Sequence, residues 1–112
     1  MDDKNYRLSV QKVFSTLEKA FAEVDPDIAE VELSAGACTI FTPKNKSKII
    51  VSPQPPVKQV WVAVAALGVA EHYSWNAEKL EWRDDKDSSK ELYAQLSHFM
   101  WETSQLKISF LT

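Results

Sequence analysis

The chain has 112 residues, of which 45% are apolar and 26% charged, with a formal net charge of −3 and a pI near 5.3. These totals describe one ordinary globular domain over residues 1–112 and exclude an intrinsically disordered chain. The acidic balance argues against nucleic acid or an anionic membrane as partner, because neutralising phosphates needs a basic surface, and leaves cations or basic protein surfaces. A single cysteine, Cys38, rules out an intramolecular disulfide and an all-cysteine metal site.

Residues 5–24 predict a helix. Leu8, Val10, Val13, Phe14, Leu17, Phe21 and Val24 fall mostly at steps of three and four, a single apolar stripe that needs a sheet to cover. Asp25-Pro26-Asp27 is expected to end it. Residues 29–34 alternate Glu30, Glu32 and Ser34 against Val31 and Leu33, and Ala35-Gly36 turns the chain into a second strand over 37–42. Pro43-Lys44-Asn45-Lys46 is a polar turn before a third strand, residues 47–52, which is expected to stop where Pro53, Pro55 and Pro56 remove backbone donors. In the fourth strand, 59–64, Val60, Val62 and Val64 take one face and Gln59, Trp61 and Ala63 the other. The valines are the buried set. Trp61 beside Gln59 on the second face is open to two readings: a ring that merely shields neighbouring strands, or an aromatic anchor flanked by hydrogen-bonding side chains, as in a protein-binding hot spot. Further strands are expected at 70–75 and 80–83. Asp87 or Ser88 is the expected N-cap of a second helix with the stripe Leu92, Leu96, Phe99 and Met100, followed by a short apolar tail at 106–111. Strands joined by short turns between two amphipathic helices predict an α+β protein: a two-layer sandwich whose antiparallel sheet of about six strands carries the N- and C-terminal helices on one face.

Six carboxylates, Glu18, Glu23, Asp25, Asp27, Glu30 and Glu32, fall at the end of the first helix, the loop after it and the outward positions of the first strand. On one edge they repel one another unless cations or a basic partner sit there, and their hard oxygens suit weak, exchangeable metal binding; a merely solvated acidic face is the other reading. Gly-x-Gly-x-x-Gly, Walker, His-Glu-x-x-His, Gly-x-Ser-x-Gly and Glu-x-x-His motifs are absent, so the chain is not expected to be an enzyme. His72 and His98 stand on different elements, and Cys38 reads as core.

The segment Ser-Lys-Ile-Ile-Val-Ser-Pro-Gln-Pro-Pro-Val-Lys-Gln-Val-Trp-Val-Ala resembles the central signature of the frataxin family, most closely its bacterial CyaY-type members, in which Ser-Lys-Ile-Ile-Ile-Asn-Arg-Gln-x-Pro runs into Gln-Val/Ile-Trp-Leu-Ala. Ser47, Lys48, Ile49, Ile50, Gln54, Pro56, Gln59, Val60, Trp61 and Ala63 match. Ser52 stands where the family has Asn, and Pro53 where it has a basic residue. Gly36 to Ile40, His72-Tyr73 and Trp82 extend the likeness. The resemblance implies an iron-binding accessory protein of iron–sulfur cluster assembly, with an acidic ridge for iron on the first helix and strand. It also implies a sheet face, here Gln54 and Trp61 with Ser52 and His72 as variant neighbours, that docks on the cysteine desulfurase and scaffold protein. Ferroxidase or iron-storage activity and a metal-independent interaction module are the alternatives. The expected location is the bacterial cytoplasm, or the mitochondrial matrix for a processed eukaryotic form, and the expected state without iron is a monomer.

Overall fold

The computed structural model describes residues 1–110. Helix α1, Asp3–Phe21, starts at Asp2, whose carboxylate accepts the Asn5 N–H at 2.7 Å, and buries Tyr6, Val10, Val13, Leu17 and Phe21 along one stripe. Two details differ from expectation. Tyr6 joins the stripe and Leu8, 50% exposed, leaves it. The helix also stops at Phe21 rather than at residue 24: three-residue hydrogen bonds from Ala22 to Lys19 and from Val24 to Phe21 tighten its last turn before Pro26 is reached. Asp25 then organises the loop, its carbonyl accepting from Ile28 and Ala29 and its carboxylate from Asp27.

The six strands β1 (Glu30–Ser34), β2 (Ala37–Thr42), β3 (Ser47–Gln54), β4 (Gln59–Val64), β5 (Val69–Asn76) and β6 (Glu81–Asp84) form one antiparallel meander in chain order. Ala35 and Gly36 both have positive φ, 53° and 79°, which a two-residue hairpin turn needs to match strand twist. The third strand runs through Pro53 instead of stopping at 52. Beyond Val51, paired to Cys38, β3 has no neighbour on the β2 side, while on the other side its register with β4 continues through Pro53–Val60 and Gln54–Gln59. The donor that Pro53 lacks is not needed there. The proline turn itself is a 3-10 turn, Pro55–Val57, closed by Lys58 at φ 51°. Leu80, assigned to a strand from the sequence, instead sits at the tip of the β5–β6 turn with φ 54° and 70% exposure.

Helix α2, Leu92–Ser104, buries Leu92, Leu96, Phe99, Met100 and Thr103. Its N-cap is neither Asp87 nor Ser88 but Glu91, whose carboxylate accepts from the Tyr93 and Ala94 N–H groups at 2.7 and 3.0 Å. Asp87 is occupied by Ser89, which donates both its N–H and its hydroxyl to it. Both helices cover the same face of the sheet, against Ile40, Ile49, Val51, Val60, Val62 and Val64. This is the expected two-layer sandwich. The tail returns along the helices, where Leu106, Ile108 and Phe110 are half-buried and Phe110 lies 6.1 Å from Phe21 and 5.8 Å from Tyr93 between ring centroids. Leu111, part of the expected apolar tail, lies outside the described residues.

Candidate docking face and acidic edge

Strand alternation fixes the open face. Because Ile49, Val51, Val60, Val62 and Tyr73 point into the core, Ser52, Trp61 and His72 share the opposite face, and the register places them side by side on β3, β4 and β5. The next row is Gln54, Gln59, Ser74 and Arg83. The five residues singled out from the sequence, Ser52, Gln54, Gln59, Trp61 and His72, thus form one contiguous patch. Apolar or small neighbours extend it: Ile50 is 39% exposed, and Ala63 and Ala70 are open beside it.

Trp61 is half-buried rather than bare. Its ring stacks on His72 with centroids 4.0 Å apart and planes within 9°, and its indole N–H donates to Gln59 Oε1 at 2.9 Å. The Gln59 amide donates in turn to Ser74 Oγ (3.1 Å) and to Asp85 Oδ2 (3.3 Å), and the Asp85 N–H donates to the His72 carbonyl at 2.8 Å. The indole is held flat against the sheet in one orientation, so little side-chain entropy remains to be lost when a partner covers it. Ser74 and Asp85 escaped the sequence reading. Ser74 could have been found from strand alternation two residues after His72; Asp85 could not, because it belongs to the loop after β6 and reaches Gln59 only in the folded chain.

Tyr6 supports this patch from behind. Its hydroxyl donates to the Gln59 carbonyl at 2.7 Å and accepts the Gln54 N–H at 3.0 Å, so a helix residue closes the open end of the β3–β4 pair. Burial pushes the Tyr6 phenol above its ordinary value, the hydrogen bond from Gln54 opposing part of the shift.

The acidic residues lie where the end of α1, the following loop and β1 meet. Glu18, Glu23, Asp25, Asp27, Glu30 and Glu32 are all exposed. Among the described residues no three His, Cys, Asp or Glu side chains come together as a ready metal cage. The six expected on one edge thus stand on the end of α1, the loop after it and β1, with Glu30 and Glu32 on the same face of the strand, and they form an open edge rather than a closed cage. The Leu33 side chain, expected inside with Val31, is 45% exposed. Cys38 is fully buried opposite Leu33, its thiol pushed up to about 12 by burial first and by the Glu18 charge second. His98 is exposed on α2, remote in sequence and element from both regions.

A family model described as Frataxin-like domain matches residues 1–105. The chain belongs to the frataxin family. Its relatives within that family include the iron-sulfur cluster assembly protein CyaY of Paraburkholderia xenovorans, 32% identical over 110 residues that span 98% of each chain. The protein of the same name from Burkholderia mallei is 31% identical over 111 residues, again 98% of each. Among solved structures, the frataxin of Psychromonas ingrahamii superposes with a TM-score of 0.85 over the whole of both chains at 23% identity, which speaks for the shared fold. No helix among the described residues of this frataxin-family chain is long and apolar enough to cross a membrane.

Proposed function

We propose that this chain is a non-enzymatic accessory protein of iron–sulfur cluster assembly, which docks on the cysteine desulfurase and scaffold protein and modulates the rate of cluster synthesis. The observation that carries this reading is the pre-oriented Trp61–His72 stack, with its Gln59 tether, in the middle of a sheet face that no described element covers. A rigid aromatic anchor ringed by Ser52, Gln54 and Ile50 has the make-up of a hot spot. Family membership and the names of the relatives support the same partner class.

Iron is cargo in this reading, taken weakly by the exposed carboxylates of the acidic edge. The donor set fits a hard cation, but its open geometry imposes neither a fixed coordination number nor selectivity among Fe²⁺, Mn²⁺ and Co²⁺. The exposure of those carboxylates on an open edge favours one second reading, a metal-independent interaction module whose acidic edge steers a basic partner. Mixing the purified chain with a PLP-dependent cysteine desulfurase and its scaffold, with and without Fe²⁺, tests both. The primary reading expects co-elution and a changed rate of cluster formation, with Fe²⁺ altering the effect. A complex indifferent to Fe²⁺ selects the module, and neither complex nor rate change sinks the docking function.

A further inference from the structure

The outer side of β1 is the one long sheet edge to which no described residue is paired. In a two-residue hairpin the closing pair, here Ser34 with Ala37, exchanges hydrogen bonds, and alternation then makes Glu32 with Thr39 and Glu30 with Phe41 the next bonded pairs. The backbone N–H and C=O groups of Val31 and Leu33 consequently point away from β2. The side chains along this edge say what would fit it. Glu30 and Glu32 stand on the open face, and Leu33 is left 45% exposed on the other. Next to Val31 lies a groove of about 290 Å³ whose walls include Phe21, Val24 and Ala29, bordered by Glu18 and Glu30.

We propose that β1 accepts an extended segment of a partner protein as a seventh strand, and that basic residues alternate with apolar ones in that segment. Main-chain hydrogen bonds to Val31 and Leu33 would give affinity; cation placement against Glu30 and Glu32, and apolar side chains against Leu33 and in the groove, would give specificity. A second copy of β1 is the wrong occupant, because two such strands side by side would set glutamates against glutamates across the new ladder, a device that also keeps the bare edge from self-association. The inference rests on the second reading above, in which the acidic edge meets a basic partner, and adds the mode of contact to it.

The test uses an end-blocked hexapeptide, Lys-Val-Lys-Leu-Lys-Val, and the same peptide N-methylated at one central residue whose N–H would face β1, which keeps charge and side chains but removes that donor. Binding of the first should slow hydrogen exchange at the amides of Val31 and Leu33, and N-methylation should weaken it about tenfold, the scale of one lost hydrogen bond. Leu33→Pro deletes a free-edge donor without touching a bonded pair and should weaken the unmodified peptide by about as much. If that variant does not fold, the N-methylated peptide makes the same comparison on the unaltered chain. Glu30→Gln with Glu32→Gln should weaken binding and flatten its salt dependence. Equal binding of the two peptides, or unchanged exchange at Val31 and Leu33, overturns strand addition. Concentration-dependent protection of those amides without peptide would assign the edge to a second copy and overturn the basic partner. No desulfurase, scaffold or iron enters this assay, so its failure and the failure of the docking function are read separately.

Discussion

Tyr6 is the residue on which helix and docking face depend together. Its ring packs edge-on to Trp82 at 6.2 Å, and its hydroxyl stands in for a rung between Gln54 and Gln59. Tyr6→Phe keeps the ring and leaves a part-buried N–H and a carbonyl without partners, so it should cost about 1–3 kcal/mol in urea unfolding. It should also loosen the Gln59 tether on Trp61, visible as easier acrylamide quenching. A melt indistinguishable from the parent would mean that water replaces the hydroxyl. Trp61 itself makes the opposite trade. It is half-buried on the open face rather than in the core, so Trp61→Ala should change stability modestly while weakening desulfurase binding by at least about 1 kcal/mol, as truncation of an anchoring aromatic does. Titration calorimetry against the desulfurase reads the second number. Unfolding of the domain on this substitution would show that the ring is structural.

Elements begin and end here where side chains satisfy orphan backbone groups, and these points were the least visible in the sequence. Glu91 caps α2 with both carboxylate oxygens, although glutamate is not among the favoured capping residues. Glu91→Ala should therefore cost about 1 kcal/mol in chemical denaturation, whereas Ser88→Ala should cost next to nothing. Comparable losses from the two variants would restore the cap expected from the sequence. The edge formed by the end of α1 and by β1 makes a different prediction. Replacing Glu23, Asp25, Asp27, Glu30 and Glu32 together by their amides removes like charges from an exposed row and keeps the acceptor that Asp25 offers to Asp27. The melting temperature should stay or rise while weak Fe²⁺ binding disappears. An unchanged Fe²⁺ titration in this folded variant would move the metal away from the edge, toward His72 or His98.

The molecule as a whole is poised to fail at high pH. Burial raises Tyr6, Tyr73 and Tyr93 above the ordinary 10.0, with the Glu71 carboxylate adding to the shift of Tyr73, and raises Cys38 from 9.0 to about 12. All four hold their protons more tightly folded than unfolded. Their contribution is complete below the unfolded values and is lost as pH climbs past 9.0 for the thiol and 10.0 for the phenols. Denaturation midpoints should hold steady up to about pH 9 on this account and fall beyond it, more slowly in Cys38→Ala measured against its own neutral-pH midpoint. A flat profile to pH 11 would contradict the burial argument.

The sequence by itself determined the layers: apolar steps of three and four in two helices, alternation in Val60, Val62 and Val64, and turn residues at Ala35-Gly36 set which faces had to be covered. Strand parity, which is local information, also put Gln59 and Trp61 on one face, and the family resemblance added Ser52, Gln54 and His72 to it. Only the tertiary structure decided that Asp85 reaches Gln59, that Tyr6 reaches across to the β3–β4 turn and that Leu33 is left uncovered. These depend on how far each helix extends over the sheet and on where loops return. Both are set by packing between residues distant in the chain, which periodicity within a segment does not encode.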